Sequence, residues 1–291
     1  MLTGPAGAFE TREPVGLLAC AGRFPVVFAE KARECGIPVV CVAAYGMADP
    51  ALQSICTEFS WLHRASIGTI TRAFRRGGVR QWTMAGKFEK RILFRPWRWF
   101  HYLPDWRMLR FWFFRQRKAN NDDSILLGLI AEFRAEGLEC VSALDLCPEL
   151  LVCEGVLTRR RPTRSEEQDI AFGWHLAREM GRLDVGQSVM VRERAVLAVE
   201  AIEGTDLAIL RAGELCRRGG FVVVKIAKPE QDRRFDVPTV GMQTIETMRK
   251  AGATVLAIEA DRTIVIDQAA TVALAEKYGI AITSLVSPPG A

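Results

Sequence analysis

Short apolar runs alternate with amphipathic stretches along this chain, and the alternation predicts an α/β fold. In the first half, runs rich in β-branched and apolar residues have the pattern of strands buried on both faces, at 15–20, 38–44, 79–85 and 138–143. Segments with helical spacing lie between them, at 24–35, 49–56, 66–76 and 121–137. The first run is followed by a turn containing Gly22, which is typical of a doubly wound sheet that binds its ligand at the strand ends.

The second half repeats the alternation and predicts a second α/β unit. A hairpin with Glu193 and Arg194 at its turn joins predicted strands at 187–192 and 195–202. Further strands are predicted at 220–224, 254–259, 263–267 and 280–285, and helices at 170–180, 207–216, 239–251 and 268–279. A weak change in composition separates the halves. We therefore predict an N-terminal Rossmann-like domain at 1–145 and a C-terminal α/β catalytic domain at 146–291.

Polar clusters follow apolar runs at three places in the second half, at 184–187, 200–206 and 225–236. The last of these places two Lys, two Arg, two Asp, one Glu and one Gln directly behind the run 220–224. Pro229 excludes a regular helix or strand interior there, so the cluster is either a shaped functional loop or an ordinary solvated one. The three clusters offer carboxylates, amides and cations, without a His base or a Cys nucleophile. That set suits Mg²⁺ and the hydrolysis of a phosphate or diphosphate ester.

Composition narrows the class of protein. With 49% hydrophobic and 25% charged positions among 291 residues, the chain can bury the core of one large domain or two ordinary ones. The eight cysteines form no CxxC pair and the three histidines are isolated, which indicates a reducing, cytoplasmic compartment and no zinc site. No apolar run reaches about 18 residues and the N-terminus lacks a basic start with an apolar core, so we expect neither a transmembrane helix nor a secretory signal.

Residues 88–118 interrupt the α/β alternation with aromatic and basic residues. Nine Lys and Arg stand against two acidic residues in this stretch, which also contains four of the seven Trp. Such a segment would suit a lipid headgroup boundary or an acylated ligand, and an ordinary amphipathic segment with a solvated basic face is an equal alternative. Stacking on single-stranded nucleic acid is a third reading. Because the whole chain carries a formal net charge of only +5, the basic character is local and we expect no nucleic-acid partner.

The motifs that carry these clusters resemble a known family. The strongest are Leu183–Gln187, Ala198–Asp206 and Lys225–Gly241, and weaker ones lie at 22–25, 85–87 and 122–126. In this order they are similar to the I-type UDP-2,3-diacylglucosamine pyrophosphatase family of bacterial lipid A biosynthesis, over most of the chain. The resemblance implies two α/β domains with the active site in the cleft between them. It also implies Mg²⁺-dependent attack of water on the diphosphate of the substrate, giving UMP and 2,3-diacylglucosamine 1-phosphate.

The resemblance also implies roles for individual residues. Asp232 falls on the family's catalytic aspartate, either as a metal ligand or as a general base, and Lys225 and Lys228 are the accompanying catalytic cations. The implied metal ligands are Asp232, Asp206 and Asp123. The implied substrate-binding residues are Gly22, Gly86, Lys87, Gln187, Thr205, Asp206, Gln231 and Arg234.

Two departures from the family pattern bear on the substrate. The first turn, at 19–25, has one glycine where the family is glycine-rich, and the segment after Lys87 is more aromatic and more basic than the family pattern. The first departure concerns the headgroup contacts of the turn, and the second leaves acyl-chain length and membrane attachment open.

The sequence leaves three classes of function to compare. The first is a hydrolase of an acylated UDP-sugar, cytoplasmic or peripheral on the inner membrane, with a homodimer left open. The second is a non-enzymatic lipid or membrane-surface binding protein on a related scaffold. The third is another nucleotide-sugar enzyme such as a transferase, which would require an acceptor other than water.

Overall fold

A computed structural model of the chain describes residues 13–64, 66–87, 122–229, 231–232, 234, 237–286 and 288, with the backbone alone at 122–125. The chain divides into two compact units, the first comprising 1–148 with 232–235 and the second 149–231 with 236–291. Each unit is an α/β structure, which confirms the predicted fold class. Within the described residues, no helix is both long enough and apolar enough to cross a bilayer.

The first unit contains a five-stranded parallel sheet in the order β3-β2-β1-β4-β5. Its strands are β1 Val15–Ala19, β2 Val39–Ala44, β3 Glu58–Leu62, β4 Gln81–Ala85 and β5 Glu139–Cys140. Its helices are α1 Phe24–Glu34, α2 Leu52–Ile55, α3 Ile67–Arg76 and α4 Asp122–Ala135. The direction of winding reverses between β1 and β4, which is the switch point where open α/β sheets bind their ligands.

Aromatic side chains fill the core between this sheet and its helices. Trp82 on β4 is fully buried and meets Phe133 edge to face, with ring centroids 4.7 Å apart. The absence of a side chain at Gly16 on β1 lets the Phe74 ring pack against this strand, because a Cβ there would lie 2.9 Å from the ring. The core explains why β1, β2 and β4 read as continuous apolar runs: they are covered on both faces.

Strand β3 is one element that the sequence pattern did not predict. It lies at the edge of the sheet, and its residues Glu58–Leu62 are exposed or only half-buried. Because the faces of this edge strand are not fully buried, its sequence has no continuous apolar run, and the pattern that predicts the central strands does not reveal it.

The second unit contains a six-stranded mixed sheet in the order β6-β13-β11-β9-β7-β8. Its strands are β6 Gly155–Val156, β7 Ser188–Arg192, β8 Ala195–Val199, β9 Phe221–Lys225, β11 Ala253–Glu259 and β13 Ala281–Leu285. A separate two-stranded sheet pairs β10 Thr239–Val240 with β12 Ile264–Val265. The helices are α5 Arg164–Arg182, α6 Thr205–Leu215, α7 Met242–Ala251 and α8 Gln268–Lys277.

The predicted hairpin is confirmed as the antiparallel pair β7 and β8. Its turn residues Glu193 and Arg194 both have left-handed backbones, with φ of +52° and +59°. The Asp169 carboxylate compensates for this, because it accepts the backbone N–H of Glu193 at 2.9 Å and that of Arg194 at 2.6 Å.

The helix predicted at 239–251 begins later than expected. Residues Thr239 and Val240 form the short strand β10, and the helix starts at Met242 after Gly241. The apolar character of 239–240 fits both structures, and pairing with β12 decides between them.

Helix α5 begins with a capping box. The Thr163 side chain accepts the backbone N–H of Glu166 at 3.3 Å, and the Glu166 carboxylate accepts the backbone N–H of Thr163 at 2.8 Å. The same carboxylate accepts hydrogen bonds from Arg160 at 2.6 Å and from the Thr254 hydroxyl at 2.8 Å. Burial raises the pKa of Glu166, but these hydrogen bonds outweigh it and the pKa is lowered overall.

We predict that Glu166→Gln lowers the stability of the protein in a pH-dependent way. Because the folded pKa of Glu166 is lowered, its charge contributes fully above the ordinary value of 4.5, and the contribution disappears as the pH falls through the folded value. At neutral pH we expect a loss of about 1.5 kcal/mol in urea unfolding, since hydrogen bonds to a charged group are replaced by neutral ones. The loss should shrink toward zero in acid. The exposed neighbour Glu167 provides the control, and an equal, pH-independent loss in both variants would contradict this account.

Candidate active site

Three loops of the second unit meet at one edge of its sheet. Strand β7 runs antiparallel to both β8 and β9, so its first residue, Ser188, pairs with Lys225 at the end of β9. The backbone N–H of Glu200, just after β8, donates to the Ser188 carbonyl at 2.9 Å. The strand-proximal residues of the three polar clusters therefore come together, because β8 and β9 end where β7 begins.

A buried hydrogen-bond chain links these loops. The Lys225 ammonium donates to the Thr205 hydroxyl at 3.1 Å and to the Thr239 carbonyl at 2.9 Å. The Thr205 hydroxyl in turn donates to Glu200 Oε1 at 3.0 Å and lies 3.4 Å from the Ser188 hydroxyl. All four of the side chains in this chain of contacts are at most 8% exposed. Lys225 and Glu200 thus balance their charges through one hydroxyl group, which fixes the start of α6 beside the end of β9.

One carboxylate oxygen in this buried hydrogen-bond network receives no hydrogen bond from the described residues. Glu200 Oε2 is buried and has no hydrogen-bond partner among the described residues. A Cβ at Gly186 would lie only 2.0 Å from the Glu200 carbonyl, so the loop 184–187 can pack this closely only with glycine there. Gln187, predicted to bind substrate, lies in this loop, and its carbonyl accepts the backbone N–H of Ile226 at 3.1 Å.

The loop after β9 is shaped by Lys228 and Gln231. Gln231 Oε1 accepts the backbone N–H of Lys228 at 2.8 Å, and the Lys228 carbonyl accepts the backbone N–H of Gln231 at 3.2 Å. Gln231 Nε2 lies 3.4 Å from Gln187 Oε1, so two predicted site residues are in contact. The Lys228 ammonium pairs with Asp184, whose backbone is left-handed with φ of +54°.

The ion pair between Glu259, at the end of β11, and Arg262 supports the same loop. Glu259 Oε2 accepts the backbone N–H of Ala227 at 2.8 Å, while its Oε1 accepts from Arg262 Nη1 at 3.1 Å. Arg262 Nη2 donates to the Lys228 carbonyl at 3.0 Å. Lys228 is consequently held at its backbone by two elements and at its side chain by Asp184, which makes it a rigidly placed cation.

Asp232 and Arg234 form a bidentate ion pair two residues apart. Arg234 Nη2 donates to Asp232 Oδ2 at 2.6 Å, Arg234 Nε donates to Oδ1 at 3.0 Å, and the Arg234 backbone N–H also reaches Oδ1 at 3.0 Å. The Arg234 guanidinium holds the pKa of Asp232 below its usual range, although partial burial opposes the shift. Asp232 is therefore an ionised carboxylate throughout the neutral range.

Mg²⁺ was predicted from the sequence, and Asp232 has the chemistry to hold it. Arg234 makes two hydrogen-bond contacts to each oxygen of this carboxylate, so Mg²⁺ would share the carboxylate with the guanidinium by displacing part of the ion pair. Mg²⁺ in proteins commonly uses one or two carboxylates and takes its other ligands from phosphates and water. No group of three or more His, Cys, Asp or Glu that could hold a metal occurs among the described side chains. The donor set fits an ion completed by substrate oxygens rather than a cage made by the protein alone.

The other two predicted metal ligands are placed differently. Asp206 lies in the first turn of α6, where its Oδ2 accepts a hydrogen bond from the Gln243 side chain at 3.2 Å in an exposed position. The side chain of Asp123 lies outside the described residues, and so does the aromatic-basic segment 88–118. The predicted ligand roles of Asp206 and Asp123 and the predicted membrane role of the segment remain predictions.

In the first unit, the predicted residues Gly22, Gly86 and Lys87 lie at the switch point of the sheet. They follow β1 and β4, and the backbones of Ala21 and Lys87 form an antiparallel bridge, with N···O distances of 3.1 and 2.7 Å. Gly86 has φ of +95°, and a Cβ there would lie 2.6 Å from the Ala21 carbonyl oxygen. Only glycine permits this close bridge. Gly22 lies in the turn after β1, where a Cβ would have no atom of the described residues within 4 Å.

Glu200, Asp184 and Glu259 were not among the predicted site residues. Glu200 and Asp184 lie inside the polar clusters, so their position behind apolar runs was the available signal. Glu259 ends an apolar strand far along the chain, and only the adjacency of β11 to β9 reveals its contact with the loop.

Comparison with known proteins agrees with this architecture. The family model described as the LpxI N-terminal domain matches residues 14–150, and the one described as the LpxI C-terminal domain matches residues 153–283. A relative from Caulobacter vibrioides, UDP-2,3-diacylglucosamine pyrophosphatase LpxI, is 33% identical over 276 residues, which is 91% of this chain and 95% of the relative. On both grounds, the chain belongs to the LpxI family.

Proposed function

We propose that this protein hydrolyses the diphosphate of UDP-2,3-diacylglucosamine to 2,3-diacylglucosamine 1-phosphate and UMP, with Mg²⁺ as cofactor. The observation that carries the proposal is the 33% identity, over nearly the whole of both chains, to a relative named for this substrate. The Lys228–Asp184 and Arg234–Asp232 ion pairs provide chemical support, since cations and carboxylates are the groups that bind a diphosphate and its metal ion.

Asp232 has the properties of a metal ligand more than those of a general base. An efficient base has a pKa close to the working pH, whereas the guanidinium of Arg234 lowers that of Asp232. Bound Mg²⁺ would supply charge neutralisation at the phosphoryl oxygens and orient water. Asp232 would hold that ion in exchange for part of its contact with Arg234, and the remaining hydrogen bonds would keep the carboxylate ionised and fixed in direction.

Two lysines serve different purposes in this proposal. Lys228 is held by Asp184 and by the loop backbone, and we assign it to binding a phosphate group of the substrate as a fixed cation. Lys225 is only 6% exposed and donates to Thr205 and Thr239, so we assign it to holding the loops together rather than to contact with substrate. Thr205 is an internal member of the same buried chain.

The cellular setting of the protein stays a proposal as well. A diacylated substrate resides at a lipid surface, and the rings and cations of residues 88–118 are of the kind that lie at a headgroup boundary. We propose a cytoplasmic protein that works on the inner-membrane surface through this segment, alone or as a homodimer.

Removing the metal tests the chemistry directly. After treatment with EDTA, we expect release of UMP from UDP-2,3-diacylglucosamine to stop, and addition of Mg²⁺ to restore it. The reason is that the negative charge on the phosphoryl oxygens must be neutralised in the transition state. Ca²⁺ at the same concentration is the control, since its larger coordination shell fits the octahedral demand poorly. Full turnover in EDTA would contradict a magnesium mechanism, and binding of the lipid without any turnover would favour the non-enzymatic alternative.

A further inference from the structure

Two aromatic rings lie at the ligand-binding edge of the first unit without a part in the proposed chemistry. Tyr45 directly follows β2 and His63 directly follows β3, and these strands end side by side with Ala44 paired to Leu62. The backbone N–H of Tyr45 donates to the Leu62 carbonyl at 3.1 Å, which fixes the rings next to each other. Their centroids are 4.3 Å apart and their planes are inclined by 39°.

The Tyr45 ring packs against other aromatic rings and is nevertheless about half exposed. Trp61 meets it edge to face with centroids 5.8 Å apart, and Phe59 meets Trp61 in the same way at 4.8 Å. Yet Tyr45 is 53% exposed, an unusual degree for a residue with this much aromatic contact. A supported, exposed ring is a flat surface whose orientation is fixed before any ligand arrives, so stacking on it costs little conformational entropy.

The position of this ring relative to the switch-point turn points to a nucleotide. Strands β2 and β3 lie one and two places from β1, or roughly 5 and 10 Å at the usual spacing of strands. Gly22 follows β1 and belongs to the turn at which an open α/β sheet receives phosphate groups. A nucleotide with its phosphates at that turn would extend its ribose and base over the ends of β2 and β3, where the rings lie.

We propose that Tyr45, supported by His63 and Trp61, is the stacking surface for the pyrimidine base of the nucleotide. This inference rests on the proposed function, because it takes the uridine part of the proposed substrate as its ligand. Every base has a π-face, so stacking gives affinity for the base, and the His63 ring packed against Tyr45 holds the Tyr45 ring in place.

Binding of UMP and ribose 5-phosphate to the full-length protein tests this assignment by calorimetry. Ribose 5-phosphate keeps the sugar and phosphate and lacks the base. We expect the wild type to bind UMP more tightly than ribose 5-phosphate, and Tyr45→Ala to weaken UMP binding by about 5- to 150-fold, the range that loss of one base stack produces. Binding of ribose 5-phosphate should be unchanged, which also shows that the variant is folded. Tyr45→Phe keeps the ring and should bind UMP like the wild type.

The two proposals fail in different ways in this experiment. If wild type and Tyr45→Ala bind UMP equally, or if the wild type prefers UMP no more than ribose 5-phosphate, the stacking surface is overturned whatever the enzyme does. If UMP binding depends on Tyr45 while the wild type releases no UMP from UDP-2,3-diacylglucosamine, the stacking surface stands and the proposed hydrolysis fails.

Discussion

Asp232→Asn should reduce kcat for UMP release by about 10²- to 10³-fold, the order of loss that follows removal of one fixed electrostatic group from an active site. Asparagine has nearly the same shape, and its amide oxygen can still accept the backbone N–H of Arg234, so the local turn should be kept although the hydrogen bonds to the second oxygen are lost. What is lost is the negative charge, which would hold the cation beside the diphosphate. The expected signature is a low kcat with UMP affinity close to that of the wild type, measured by steady-state kinetics and calorimetry.

Asp49 offers a matched control for this substitution. Its carboxylate accepts the backbone N–H of Ala51, two residues on, at 2.9 Å, just as Asp232 accepts that of Arg234. Asp49→Asn removes a charge from the same local geometry in an exposed turn after β2. If Asp232→Asn were as active as Asp49→Asn, the assignment of Asp232 would be wrong.

Lys225→Met should cause the second large effect, a loss of about 3 kcal/mol in the free energy of unfolding, because it breaks a buried charge-balanced network. The Thr239 carbonyl and the Thr205 hydroxyl lose a donor, and the Glu200 carboxylate stays buried without the ammonium that balances it. Urea unfolding measures the loss. Lys250→Met, an exposed lysine in the last turn of α7, controls for the change in charge and should cost little.

A double-mutant cycle separates the network from simple packing. Glu200→Gln removes the partner charge, so Lys225→Met should cost less in the Glu200→Gln background than in the wild type. Equal losses in the two backgrounds would show that Lys225 and Glu200 do not act together.

The sequence predicted the elements that depend on local pattern and missed those that depend on pairing with a neighbouring strand. The central strands and the β7–β8 hairpin are set by local pattern, since continuous apolar runs and a two-residue turn are visible in the chain itself. Strand β3 and the start of α7 depend on neighbours: an edge position leaves Glu58–Leu62 half exposed, and pairing with β12 turns Thr239 and Val240 into a strand. Local pattern carries no information on such pairing.

The same distinction between local pattern and tertiary contact applies to the residues of the candidate site. The sequence predicted Gln187, Gln231 and Lys228 as site residues from polar clusters next to apolar runs, and the structure brings these three residues into contact with one another through Gln231. The sequence could not distinguish a lysine that faces a ligand from one that is enclosed by protein, and Lys225 proved to be the enclosed kind. Burial is a property of the whole fold, and the same is true of the contacts that Glu259 and Arg262 make with the loop.

Hydrolysis in ¹⁸O-labelled water tests the central claim most directly. Purified full-length protein is given UDP-2,3-diacylglucosamine and Mg²⁺ in labelled water, and the products are analysed by mass spectrometry. The proposed function predicts UMP and 2,3-diacylglucosamine 1-phosphate as the only products, with one ¹⁸O atom in one of the two phosphates. Intact substrate, or products that form only when an acceptor other than water is added, would contradict it.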